Sequence, residues 1–274
     1  MARPTTDLSL SAPDGLALNL VDFGGSVSPP LLFVHGSFGH AHVWDAVVGH
    51  LPPERRCLAL DLPGHGDSAW APAESRYGFD ALVEDLHVAV SRLDGRPVLA
   101  GHSIGSALAM LYASRYPETI AGAVFMDIDP HSPQHQIDHL SQVGETPAKV
   151  YPSFDRAIAR ESRIAPGAAA EVHRTLARFG YRETEEGFAQ KFDQGFLRSV
   201  RSWDARGSLG KIAVPTLVLR GSESIVMTVE GYDELLRGIP AARGSVIAGA
   251  SHQLHLDRPA EVAAAIESFV SSLG

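Results

Sequence analysis

Apolar runs alternate with segments of helical spacing along most of this chain of 274 residues. The apolar runs, which are typical of strands buried on both faces of a sheet, lie at 29–36, 56–68, 97–101 and 121–130. Segments with helical spacing separate them, at 41–51, 79–93 and 104–116. This alternation predicts an α/β fold with a mostly parallel, twisted sheet and helices on both faces.

The alternation stops at residue 131, and the segment 131–210 is polar and rich in arginine and glutamate. It resumes with a strand, a helix, a strand and a last helix, at 214–224, 229–238, 244–249 and 258–270. We therefore predict one α/β core made of 1–130 and 211–274, with 131–210 as a helical cap or lid. Seven aromatic residues are expected to divide between a pocket lining and the cap's own core: Tyr151, Phe154, Phe179, Tyr181, Phe188, Phe192 and Phe196.

Charge and composition narrow the classes of function. The net charge of −9 argues against binding to nucleic-acid phosphates. No apolar run approaches the ~18 residues of a membrane span, and the N-terminal segment lacks the features of a signal peptide. A cytoplasmic protein that acts on a small molecule is expected, as a monomer or a homodimer. Cys57, the single cysteine, cannot form an intramolecular disulfide and is expected to be a small core residue.

One serine stands between two glycines where a predicted strand meets a predicted helix, in Gly101-His102-Ser103-Ile104-Gly105. A G-x-S-x-G match alone is weak, but this position between strand and helix makes it specific. The tight turn exposes the serine hydroxyl at the carboxyl end of the sheet, and the glycines leave room for neighbouring backbone. We therefore predict that Ser103 is a nucleophile rather than only a helix cap.

A serine nucleophile needs a base, and a histidine is expected after the acid in this architecture. His252 follows a predicted strand on a short loop, at the same sheet edge as Ser103. His255 is expected to be a loop or pocket-wall residue, and His102 points away because adjacent side chains on such a turn diverge. His35 is expected to brace its loop through hydrogen bonds.

A histidine-rich stretch at the start of the cap offers a second kind of site. His135 and His139 are four residues apart and could share a helix face as metal ligands, with Asp129, His131 or Asp138 as a third ligand. No zinc-protease or cysteine pattern accompanies them, so a solvated polar segment is favoured. No sequence feature implies a metal or an organic cofactor.

Four segments together resemble the α/β-hydrolase fold superfamily. They are LLFVHGSFGHAHVW, LALDLPGHGDS, LAGHSIGSALAMLYASRYP and GASHQLHLDRPAEV, in the order and approximate spacing of that family. The resemblance covers nearly the whole chain outside 131–210. It implies the α/β-hydrolase fold and a serine-nucleophile, esterase-like member.

The resemblance leaves the acid of the expected triad open. In most members a G-x-x-D pattern follows the strand after the cap, whereas this chain has Gly221-Ser222-Glu223-Ser224. The chain is more similar to members that carry the acid one strand earlier, among them some small esterases and the haloalkane dehalogenases. That similarity points to Asp127, with Asp129 and Glu223 as alternatives.

Acyl transfer also needs donors for the oxyanion, and backbone amides commonly supply them. The N–H group of Ile104, next after the nucleophile, is one candidate. The resemblance implies Ser37, after His35-Gly36, as the second. Asp61 in LDLPGHGDS is expected to hold its turn rather than to react.

The nucleophile type selects the reaction class. Serine at position 103 argues against the dehalogenase and epoxide-hydrolase chemistry of family members with a carboxylate nucleophile. We predict a carboxylester hydrolase for a small or medium, largely apolar substrate, acting through an acyl-enzyme. A lactonase and a carbon–carbon bond hydrolase of the meta-cleavage type use the same triad and stay open as alternatives. A non-catalytic ligand receptor is the remote alternative.

Overall fold

The computed structural model describes residues 3–273, and its strands and helices follow the predicted alternation. The strands are β1 (Thr6–Ser11), β2 (Ala17–Asp22), β3 (Val27–Val34), β4 (Arg55–Leu60), β5 (Val98–His102), β6 (Gly122–Met126), β7 (Val150–Tyr151), β8 (Tyr181–Thr184), β9 (Gly187–Gln190), β10 (Thr216–Gly221) and β11 (Ala242–Ile247). The α-helices are α1 (Asp45–His50), α2 (Phe79–Ser91), α3 (Ile104–Arg115), α4 (Gln134–Gly144), α5 (Phe154–Ile164), α6 (Ala170–Gly180), α7 (Gln194–Ser199), α8 (Val229–Gly238), α9 (Leu254–Asp257) and α10 (Pro259–Ser271). Short 3₁₀ helices lie at Ala41–Trp44, Glu74–Tyr77, Pro117–Thr119 and Arg206–Lys211.

The main sheet has eight strands in the order β1-β2-β4-β3-β5-β6-β10-β11. Strands β1 and β2 form an antiparallel edge, and all pairings from β4 to β11 are parallel. The mostly parallel sheet predicted from the sequence is therefore confirmed. Because β5, β6 and β10 are neighbours and parallel, the segments that follow them meet at one edge of the sheet.

Side chains of the central strands alternate between two apolar cores. In β3, Leu32 and Val34 join the core that contains residues of α2 and α3. Leu31 and Phe33 join the opposite core, which contains residues of α1 and α10. All four side chains are fully buried, which explains why β3 is a continuous apolar run rather than an alternating one. Helices on both faces are thus confirmed.

The segment 131–210, predicted as a helical cap, contains α4 to α7 and also a three-stranded antiparallel sheet in the order β7-β9-β8. Its apolar side chains are split between two places. Ala157, Ala177 and Tyr181 form a small cluster of their own. Phe192 and Phe196, by contrast, are buried in the main core, against the α2–α3 face of the sheet. No helix within residues 3–273 is long and apolar enough to cross a membrane.

Candidate active site

Ser103 lies on a strained turn between β5 and α3. Its φ of 54° and ψ of −124° are unusual for a residue with a side chain. A Cβ atom on Gly101 would lie 2.3 Å from the Gly105 oxygen, and one on Gly105 would lie 2.4 Å from the Val34 oxygen. Only glycine therefore fits at both positions. The Ser103 side chain makes no capping hydrogen bond with the described part of α3, which leaves its hydroxyl available.

Asp127 and His252 are in direct contact beside this turn. Asp127 directly follows β6, is fully buried and has a φ of 55°. Its Oδ2 lies 2.8 Å from Nδ1 of His252, and its Oδ1 accepts a hydrogen bond of 2.9 Å from the N–H of Gly221. With a proton on Nδ1, His252 keeps an unprotonated Nε2 that can act as a base.

Ser224 stands where the G-x-x-D pattern discussed above would place a carboxylate, and here its hydroxyl contacts Asp127. Its hydroxyl donates a hydrogen bond of 2.5 Å to Oδ2 of Asp127. The same oxygen atom of Ser224 accepts hydrogen bonds from the N–H groups of Val226 at 3.1 Å and Met227 at 3.2 Å. The sequence shows that position 224 has no carboxylate, but it does not show that Ser224 contacts Asp127.

The two alternative acids lie elsewhere. Asp129 accepts a hydrogen bond of 2.9 Å from the N–H of Thr228, and its carboxylate also contacts the Thr228 hydroxyl at 3.1 and 3.2 Å. It thereby supports the residue that caps α8. Glu223 is exposed. Within residues 3–273, Asp127 is the carboxylate that contacts the His252 ring.

The other histidines near the turn hold structure in place. His102 Nε2 lies 2.9 Å from the carbonyl oxygen of His252, which links the Ser103 turn to the loop of His252 in a way that the sequence did not reveal. His35 Nε2 accepts from the N–H of Leu62 at 3.0 Å, and its Nδ1–H donates to the Gly36 oxygen at 2.8 Å. Burial lowers the pKa of both histidines, which keeps them neutral.

His255 packs inside the protein rather than in the loop alone. Its ring lies 4.9 Å from the ring of Trp44 and 4.2 Å from that of His102, centroid to centroid. Burial lowers the pKa of His255 to about 3. The ring also contributes to the wall of the cavity described below, as the sequence predicts.

The amides of Ser37 and Ile104 border the same site. Neither N–H group has a hydrogen-bond acceptor within residues 3–273. Gly36 brings the Ser37 loop close to the turn, since a Cβ atom at Gly36 would lie 3.0 Å from Cβ of Ser103. Asp61 lies in a separate network and accepts hydrogen bonds from the N–H of Ala41 at 2.6 Å and from two other groups. The carboxylate of Asp61 therefore holds its turn.

A cavity of about 650 Å³ opens beside Ser103 and His252. Much of its wall is aliphatic, from Val43, Ile128, Ile137, Leu140, Val143, Ile164, Leu176, Val200, Val226 and Leu256. Of the seven cap aromatic residues considered in the sequence, Tyr181 is the one that lines this cavity within the described chain. Phe192 and Phe196 are buried in the main core, Tyr151 and Phe188 pack against the small cluster, Phe179 stacks on the His42 ring, and Phe154 is exposed. Phe38, Phe79 and Trp203 also line the cavity, so its wall combines aliphatic and aromatic side chains, and most of the seven residues pack elsewhere.

The histidine-rich stretch lies at the edge of this cavity. His131, His135 and His139 line it, with His135 and His139 exposed. Among residues 3–273, no group of three or more histidine, cysteine, aspartate or glutamate side chains is arranged to hold a metal ion.

Comparison with known proteins identifies the family. The family model described as alpha/beta hydrolase fold matches residues 29–259. The chain belongs to this family. It is 28% identical over 275 residues to the sn-1-specific diacylglycerol lipase ABHD11 of Mus musculus, covering 94% of this chain and 86% of the relative. It is also 26% identical over 253 residues to Esterase Rv0045c of Mycobacterium tuberculosis, covering 89% and 83% of the two chains.

Solved structures share the fold of this chain. That of E-2-(acetamidomethylene)succinate hydrolase superposes with a TM-score of 0.88 and 22% identity, covering 98% of this chain and all of that one. The thioesterase domain from the curacin biosynthetic pathway superposes with a TM-score of 0.84 and 21% identity, covering 97% of this chain and all of that one. The protein is a hydrolase of the α/β-hydrolase fold, with named lipases and esterases among its relatives.

Proposed function

We propose that the protein is a serine hydrolase that cleaves a carboxylic ester of a small or medium, largely apolar substrate. The observation that carries this proposal is the contact of 2.8 Å between Asp127 Oδ2 and His252 Nδ1, beside the strained turn that presents Ser103. The named activities of the relatives, a diacylglycerol lipase and an esterase, point to the same reaction. The aliphatic cavity wall favours an apolar acyl or alcohol group.

In the proposed reaction, His252 Nε2 takes the proton of the Ser103 hydroxyl as Oγ attacks the ester carbonyl. Asp127 holds the Nδ1–H tautomer and stabilises the imidazolium that forms. The N–H groups of Ser37 and Ile104 donate to the oxyanion of the tetrahedral intermediate. His252 then protonates the leaving alcohol, and water activated by the same base releases the acid from the Ser103 acyl-enzyme.

Hydrolysis of p-nitrophenyl butyrate by the wild type, Ser103→Ala and Asp127→Asn tests this proposal. We expect turnover by the wild type and a loss of at least ~10³-fold in kcat in both variants. Asp129→Asn is a matched control that removes a neighbouring carboxylate from the cap of α8, and it should retain turnover.

The measurement also separates the alternative reactions that share this triad. A wild type that hydrolyses lactones or a vinylogous 1,5-diketone, but no simple ester, would replace the esterase assignment with a lactonase or a carbon–carbon bond hydrolase. Binding of such compounds without any turnover would identify a receptor.

A further inference from the structure

Arg160, Glu161 and Tyr181 form a charged corner of the cavity, which we call the Arg160 corner. Arg160 and Glu161 lie on α5, and Tyr181 begins β8. The side chains of Arg160 and Glu161 are only 15% and 8% exposed. Charged side chains at this depth are uncommon unless they are paired or serve a ligand. An apolar substrate alone would not require this buried charged pair at the cavity wall.

The hydrogen bonds inside the corner hold Arg160 in place but use only one of its three guanidinium nitrogen atoms as a donor. Glu161 Oε1 accepts from Arg160 Nη1 at 2.9 Å and from the Tyr181 hydroxyl at 2.6 Å. Burial raises the pKa of Tyr181, so its hydroxyl stays a donor. Within residues 3–273, Nε and Nη2 of Arg160 have no hydrogen-bond acceptor. Since a guanidinium carries five N–H donors in a planar fork, most of them remain for a ligand.

The corner lies close to the loop of the proposed oxyanion site. The guanidinium carbon of Arg160 is 5.8 Å from the ring centroid of Phe38, the residue that follows Ser37. Phe38 has a φ of 65°, and its ring packs against the buried Phe192 with centroids 4.6 Å apart. Arg160 therefore lies beside the loop that carries the Ser37 amide, and it lines the same cavity as Ser103, so one extended acyl chain in that cavity can contact both.

We propose that the Arg160 corner binds a terminal carboxylate of the acyl group, so that the preferred substrates are half-esters of dicarboxylic acids. This inference rests on the proposed esterase function. A guanidinium fork and a carboxylate form paired, charge-assisted hydrogen bonds that a neutral chain end cannot match. Glu161 does not compete for the whole fork, because it contacts Nη1 alone and shares the same oxygen with Tyr181.

Two matched ester series test the corner by turnover. The first contains the p-nitrophenyl half-esters of adipate, pimelate and suberate, and the second the p-nitrophenyl esters of heptanoate, octanoate and nonanoate. We expect the wild type to show a higher kcat/KM for at least one half-ester than for its neutral counterpart. In Arg160→Gln this ratio should fall by about 10- to 100-fold. Arg163→Gln, which removes an exposed arginine from the same helix, should keep the wild-type ratio.

Direct binding measurements test the Arg160 corner independently of ester hydrolysis. Isothermal titration of adipate, pimelate and suberate into Ser103→Ala should show binding of at least one diacid, weakened about tenfold or more in Ser103→Ala/Arg160→Gln. Turnover of the neutral esters without any preference for half-esters would overturn the carboxylate inference and leave the esterase function standing. Diacid binding that depends on Arg160, without hydrolysis of any ester, would support the corner and refute the esterase function. Absence of diacid binding would overturn the inference in either case.

Discussion

Ser224 donates a hydrogen bond of 2.5 Å to the oxygen of Asp127 that also contacts His252. Because the Gly221 N–H binds the other carboxylate oxygen, Asp127 receives three donors although it is fully buried. Two of these donors, the Ser224 hydroxyl and the Gly221 N–H, fix the carboxylate that faces the His252 ring. In the proposed reaction Ser224 is therefore a positioning residue, which acts on His252 through Asp127.

Loss of the Ser224 hydroxyl should slow the proposed reaction. In Ser224→Ala, Asp127 loses one of the contacts that fix its carboxylate against the His252 ring. The loss in kcat should be about tenfold, since the hydroxyl also orders the loop at Val226 and Met227. The measurement is kcat for p-nitrophenyl butyrate, together with the free energy of unfolding of each protein.

Ser222→Ala provides the matched control for this prediction. Ser222 lies on the same loop, but its hydroxyl accepts from the Gly249 N–H and does not contact Asp127. Its kcat should equal that of the wild type. A Ser224→Ala enzyme with lower stability and an unchanged kcat would show that Ser224 only supports the loop.

The contact between Ser224 and Asp127 also predicts that the acid can be relocated. Asp127→Asn should lower kcat by ~10³-fold or more, because the amide cannot stabilise the imidazolium. Asp127→Asn/Ser224→Asp places a carboxylate at position 224. The wild-type side chain there already contacts the Asp127 oxygen that faces His252. We expect kcat to recover by about tenfold or more over the single variant. A folded double variant that is no faster than Asp127→Asn would show that position 224 cannot reach the base.

The choice of acid illustrates where the sequence stops being informative. Asp127 and Ser224 are 97 positions apart, and they meet because β6 and β10 are parallel neighbours. An apolar run predicts each strand, and the glycines around Ser103 predict the turn, since both signals are local. Which carboxylate faces His252 depends on the direction of side chains after two different strands. Only similarity to a subset of the family favoured Asp127 over Asp129 and Glu223.

The segment 131–210 was harder to predict for a different physical reason. Its strands β7, β8 and β9 have two to four residues, too few for a recognisable alternation. The sequence also gives no sign that an arginine of α5 faces a cavity, because an arginine on a polar helix is ordinarily solvated. That Arg160 lies at the cavity, while Arg163 is exposed, follows from how α5 packs and not from the local sequence.

Buried neutral histidines should make the fold sensitive to acid. Burial lowers the pKa of five of them: His35, His40, His65, His102 and His255. For His40 and His255 the folded-state pKa is about 3, below the value of ~6.5 in an unfolded chain. Between pH ~3 and pH ~6.5, these two histidines therefore bind protons in the unfolded chain but not in the folded protein. The stabilising effect is complete above pH ~6.5 and is lost as pH falls toward 3, by up to ~1.4 kcal/mol per pH unit for each histidine.

The test is urea unfolding of the wild type and His255→Phe at pH ~7.5 and pH ~5.5. The phenylalanine ring keeps the packing against Trp44 and cannot bind a proton. We expect the loss in free energy of unfolding on acidification to be about 1 kcal/mol smaller in the variant. His50→Gln, at an exposed position, should lose as much as the wild type. Equal losses in His255→Phe and the wild type would contradict the prediction.

Gly105 should be indispensable because of its distance to the neighbouring strand. A Cβ atom there would lie 2.4 Å from the Val34 oxygen and 2.6 Å from the His35 oxygen. Gly105→Ala must therefore push α3 away from β3, at a cost of ~1–3 kcal/mol in the free energy of unfolding. It should also lower kcat, because the His35–Gly36 backbone carries the Ser37 amide. Gly207→Ala, where a Cβ would meet no atom within 4 Å, should change the free energy of unfolding by less than ~0.5 kcal/mol. A Gly105→Ala protein with wild-type stability and kcat would show that the turn can accept a side chain and that its glycine is not needed for the close approach of α3.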